Sequence, residues 1–100
     1  MWLIKHNFLK YNMTTKKQLS TITILIKDRQ MHAKDVNQLL TDAGHMIMAR
    51  LGVNVQPACI AHCTGLIVVV AKGTTRELKS LTLKLNKLYG IVAKINIVSD

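Results

Sequence analysis

The chain predicts an α+β fold, a βαββαβ sandwich in which two helices cover one face of a four-stranded antiparallel sheet. Three observations carry that expectation. From residue 19 to residue 98 the apolar stretches follow the order strand, helix, strand, strand, helix, strand. The two halves share one design: a strand, a helix and a returning strand. The run LIVVVA at 66–71 has no polar face, as suits a central strand covered on both sides. One hundred residues allow a single domain, and right-handed crossovers give the spatial strand order four, one, three, two.

The elements follow in turn. Residues 19–27, LSTITILIK, alternate Ile22, Ile24 and Ile26 against Thr21, Thr23 and Leu25, and β-branched side chains favour a strand. The isoleucines are the expected helix-facing set. Asp28, Arg29 and Gln30 turn the chain. Ala33, Val36, Leu40 and Ala43, with Leu39 beside them, share one face of a helix over 30–43, and Gly44 stands where a left-handed cap is expected. The second strand is expected at 45–51, with His45, Ile47, Ala49 and Leu51 on one side and Met46, Met48 and Arg50 on the other. Gly52 to Pro57 reads as a loop, and the third strand as 61–71. Thr74 followed by Glu77 is a capping box opening the second helix, whose stripe is Leu78, Leu81, Leu85 and Leu88. Tyr89 and Gly90 end it, and IVAKINIV at 91–98 is the last strand.

Helices on one face leave the other face of the sheet bare. The residues expected there are Leu25, Met46, Met48 and, depending on the parity of the third strand, Ile67 and Val69 or Leu66, Val68 and Val70. Large apolar patches are unusual on monomers. At about 25 cal/mol per Å², several hundred Å² of burial contributes on the order of 10 kcal/mol before entropy costs. A homo-oligomer, dimer or tetramer, is therefore expected, and Leu25, Met46, Met48, Val68, Val69 and Val70 are its candidate interface. The alternative cover is the N-terminal stretch, through Trp2, Leu3, Ile4, Phe8 and Leu9.

Residues 1–18 lack a period, cap or turn signal, and read as an extension ahead of a domain over 19–100, with Met13 as an alternative start. Lys5, His6 and Lys10 break the apolar run there, so it does not resemble a secretory signal and a cytoplasmic location is expected. In that compartment Cys59 and Cys63 are expected as reduced thiols. No apolar run is long enough to span a membrane. The net charge of +9 is spread along the chain, with Arg76, Lys79, Lys84 and Lys87 on the second helix. That pattern reads first as a solvated face and second as a generic nucleic-acid contact.

Chemistry-bearing residues are few. Cys59, His62 and Cys63, joined by His45, are the one cluster with transition-metal character, since thiolate and imidazole suit zinc or nickel. Arg50 and Gly52 form a second candidate, an arginine at a strand end beside a permissive glycine, suited to an anionic effector or to assembly. No phosphate loop, carboxylate dyad or Ser-His-Asp order is present, so no catalytic residue is expected and the chain reads as non-enzymatic.

The stretches ITILIKDR, VNQLL, ARLGV, LIVVVAKGT and LKSLTLKLNKLYGI resemble the family of small iron-only hydrogenase system regulators. The shared features are the acid–Arg turn after the first strand, the R-x-G of Arg50 to Gly52, the G-T turn and the L-T-x-K-L helix closed by glycine. The resemblance implies a ferredoxin-like fold similar to ACT domains and to the C-terminal domain of nickel-responsive repressors. It also implies a regulatory role, sheet-mediated assembly and a small effector or metal at a subunit interface. The chain departs from the family pattern at His45 and in the loop VQPACIAHC.

Overall fold

The computed structural model describes residues 16–98. The order is β1 (Gln18–Ile26), α1 (Arg29–Asp42), β2 (Ile47–Val53), β3 (Gly65–Gly73), α2 (Thr75–Asn86) and β4 (Ile91–Ile97). The strands form one open antiparallel sheet in the order β2-β3-β1-β4. This is the ferredoxin-like topology, with β1 and β3 central. Gln18, expected in the extension, is the first residue of β1. Expectations for Met13 and for Trp2 to Leu9 lie outside the described residues.

Alternation in β1 sets the two faces. Ile22, Ile24 and Ile26 are fully buried against the helices, whereas Thr23 and Leu25 are exposed on the far side. Val36 and Leu40 of α1 and Leu78, Leu81 and Leu85 of α2 complete the core. In α2, Thr74 Oγ1 accepts the Glu77 amide at 3.1 Å, while the Thr74 amide donates to Glu77 Oε1 at 3.0 Å. Both halves of the capping box are thus in place. Gly90, at φ 76°, makes the left-handed turn into β4, a conformation that costs glycine little. Gly44 does not adopt one: Ala43 caps α1, and the Gly44 amide bonds Thr41 O in a tight turn.

The second strand differs from its expected form in place and parity. It begins at Ile47, and a bulge follows, in which Ile47 pairs with Ala71 but Ala49 pairs with Val70. Met48 is the extra residue, 63% exposed. A bulge inverts the alternation beyond it. Ile47 and Arg50 therefore share the helix side, while Ala49, Leu51 and Val53 share the open side. Two expected interface residues are corrected as a result. Met46 lies before the strand and is buried in the core, and Val69 pairs with buried Ile22 and is itself fully buried. Neither contributes to the open face.

That face reads as rows in register. Val53, Leu66, Leu25 and Val92 run straight across all four strands. The next row is Leu51, Val68, Thr23 and Lys94, and the third is Ala49, Val70, Thr21 and Asn96. The apolar side chains concentrate on β2, β3 and one end of the sheet. The lysines stand at the margins, Lys72 near the end of β3 and Lys94 on an edge strand.

Candidate functional site

Where β1 turns into α1, Asp28 has φ 52° and Arg29 begins the helix. The loop from Asn54 to Thr64 returns against this turn. The Arg29 amide donates to Cys63 O at 2.7 Å. The Gln30 side chain holds Cys63 at two points: its Oε1 accepts the Cys63 amide at 3.1 Å and its Nε2 lies 3.2 Å from Cys63 Sγ. His62, at φ 53°, places Nδ1 3.0 Å from Asp28 Oδ2. Gln56 Oε1 accepts the Thr64 amide at 2.7 Å, closing the loop on itself.

Between this turn and the ends of β2 and β3 lies a recess of about 330 Å³, lined by Ile26, Arg29, Gly52, Val53, Asn54, Gly65, Leu66 and Ile67. Gly65 has a steric reason to be there, since a Cβ at its position would stand 3.2 Å from Arg29 Cβ. The absent side chain lets the arginine stem cross the strand. Among the described residues the Arg29 guanidinium has no ion pair. A half-buried, unneutralised guanidinium over an apolar wall suits a carboxylate or another small anion. Arg29 was placed in the turn by the sequence but not singled out as a site residue. The signal available was the cationic residue of an acid–Arg turn lying opposite a glycine.

The expected site residues separate. Gly52 lines the recess. Arg50 points to the helix layer, where its Nη2 bonds Asn37 Oδ1 on α1. The expected metal set is not brought together. Cys59 and Cys63, expected as thiols, are joined in a disulfide, which leaves no thiolate to ligate. His45 precedes β2 and His62 precedes β3, so antiparallel pairing puts them at opposite ends of the sheet. His45 Nε2 stands 3.7 Å from Glu77 Oε2. Among the described residues no three His, Cys, Asp or Glu side chains are grouped to hold an ion.

Asp28 and His62 form a carboxylate–imidazole pair, but no Ser, Thr or Cys side chain bonds this histidine among the described residues. The His62 side chain is 84% exposed. The pair ties the loop to the turn that opens α1. Arg76, Lys79 and Lys84 of α2 and Lys87 at its C-terminal cap are all exposed. No helix among the described residues is long and apolar enough to cross a membrane.

Fold and site together define a small ferredoxin-like sandwich with an open apolar sheet face and an arginine-lined recess at its end. Residues 18–95 match the TM1266-like family, described as "Iron-only hydrogenase system regulator, putative", and the chain belongs to that family. It is similar to the solved structure of the uncharacterized protein TM1266 from Thermotoga maritima, with a TM-score of 0.74 and 25% identity, covering 84% of this chain and 100% of the other. No curated protein matches the chain.

Proposed function

We propose that the chain is a non-enzymatic regulatory module that assembles with a second copy of itself through the open sheet face and reads a small anionic effector at the Arg29 recess. One observation carries this reading. Val53 and Leu66 line the recess and also begin the apolar row that crosses the sheet to Leu25 and Val92. A ligand against those two side chains touches the surface on which assembly depends, so binding and assembly share a free energy.

The occupant of the face is a second copy on grounds of size and charge. Four strands of seven to nine residues span about 19 by 23–30 Å. Corrugated by side chains, that surface is of the order of the ~800 Å² each partner contributes to a standard interface. Among the described strand residues, only Lys72 and Lys94 carry charge on the face, and both are marginal, so a two-fold packing keeps them out of its centre. The family description supports the regulatory role.

The test is sedimentation of the full chain at micromolar concentration, with and without a panel of small carboxylates and phosphates. The reading expects a dimer or closed oligomer whose dissociation constant shifts with one of these anions, and loss of that shift in Arg29→Ala. A monomeric wild type, with or without the anions, overturns it.

A further inference from the structure

We infer that Cys59–Cys63 is a reversible thiol–disulfide exchange site, with Cys59 the sulfur that is attacked and Cys63 the sulfur that leaves. It stands apart from the assembly proposed above and holds whether or not the sheet faces pack together. The two sulfurs have opposite environments. Cys59 is half-buried on a loop whose next residue, Ile60, is 95% exposed, whereas Cys63 is 1% exposed. Cys63 Sγ also has the Gln30 Nε2–H donor at 3.2 Å. A donor aimed at a sulfur stabilises negative charge there, and a better-stabilised thiolate leaves faster. Access and leaving-group stabilisation therefore favour the same direction of attack.

The chemistry balances with a low-molecular-weight thiol as reductant. Its thiolate attacks Cys59 Sγ and forms a mixed disulfide. The Cys59–Cys63 bond breaks, and its electron pair leaves on Cys63 Sγ, which then takes a proton from water. A second thiolate attacks the small-molecule sulfur of the mixed disulfide, releases the small disulfide and leaves Cys59 as a thiolate, which is protonated in turn. The protein gains two electrons and two protons, and two small thiols become one disulfide. The reverse sequence, driven by the small disulfide, closes the loop again.

Closure has a structural consequence because Cys63 is the point at which the loop is held to α1. Its carbonyl accepts from the Arg29 amide, and its amide and sulfur both meet Gln30. Opening the bridge frees Cys59 and loosens Cys63 on the first turn of α1, next to the Arg29 recess.

The experiment uses the untagged full chain in glutathione buffers of graded thiol-to-disulfide ratio, with alkylation, peptide mass mapping and amide hydrogen exchange. The expected result is interconversion of dithiol and disulfide with far-UV circular dichroism unchanged, and glutathione trapped on Cys59. Amide exchange at Arg29 and Cys63 is expected to be faster in the dithiol form. Gln30→Leu removes the N–H donor from the leaving sulfur and is expected to slow reduction several-fold, while Gln38→Leu on the same helix leaves the rate unchanged. Glutathione trapped on Cys63 overturns the assignment of attacked and leaving sulfurs. Bridge reduction that occurs only in denaturant overturns the site, as does a dithiol that no glutathione ratio oxidises. Equal amide exchange in the two forms overturns the link to α1.

Discussion

Asn86, the last residue of α2, holds the backbone of Ala93 in β4 from both sides: its Oδ1 accepts the Ala93 amide at 2.7 Å and its Nδ2 donates to the Ala93 carbonyl at 2.9 Å. β4 is an edge strand, so these groups have no neighbouring strand on that side and the side chain stands in for one. Asn86→Ala removes both bonds and leaves the amide and carbonyl to water or to nothing. Urea unfolding is expected to show a loss of about 1–2 kcal/mol with unchanged slope.

The cap of α2 predicts an acid-sensitive contribution. The Thr74 backbone amide, then the Thr74 hydroxyl, hold the Glu77 carboxyl below the usual carboxylate range, with smaller help from Lys17 and His45. A carboxylate whose pKa is depressed on folding contributes stability that is present above its unfolded pKa and is lost as pH falls through the folded value. The stability difference between wild type and Glu77→Gln is therefore expected to shrink on acidification from about pH 6 to pH 3, read from urea midpoints. Thr74→Ala is expected to cost about 1 kcal/mol at neutral pH.

Val68 and Val69 are neighbours with opposite fates. Val68→Glu places a charge in the second row of the open face, beside Leu51 and Thr23. Val69→Glu places one in a position with no exposure at all. The first is expected to keep the circular dichroism spectrum and lower the sedimentation mass. The second is expected to lose cooperative unfolding, because an unpaired buried charge costs more than a small domain's margin.

Two glycines should respond differently to alanine. At Gly90 the backbone is left-handed and a Cβ would meet the His32 ring at 3.2 Å, so Gly90→Ala is expected to lower stability by about 1 kcal/mol or more. At Gly52 nothing lies within 4 Å of a Cβ, so Gly52→Ala should leave thermal stability unchanged while placing a methyl group at the wall of the Arg29 recess. Binding of the anion found by sedimentation is expected to weaken, as titration calorimetry would show.

Much of the fold was legible because local signals agreed with the global arrangement. Ile22, Ile24 and Ile26 alternate without interruption and are the core face of β1. Thr74 and Glu77 mark the start of α2 because the capping box is a contact between near neighbours in the chain. The second strand was less legible. Its expected residues, His45 to Leu51, carry no turn signal to show that His45 and Met46 precede the strand, and the bulge at Met48 is set by pairing with β3. Val69 could not be assigned to a face, since every neighbour in LIVVVA is aliphatic and only the register with Ile22 decides.

From its residue pattern alone this chain carried its element order, strand order, the cap of α2 and a sheet face that its two helices leave uncovered, because these depend on periodicity and on residues close in sequence. Contacts between distant segments settled the rest. Arg29 faces an open recess because Gly65, 36 positions later, comes beneath it. Arg50 reaches Asn37 because a bulge turns β2 over. Cys59 and Cys63 form a bridge and not a metal site because the loop brings their Cα atoms to 5.8 Å, while the His62 side chain turns to Asp28 and His45 stands at the other end of the sheet. Spacing along the chain specifies neighbours a few residues apart, but which side chains meet across 30 residues is set by sheet register and by the packing of layers.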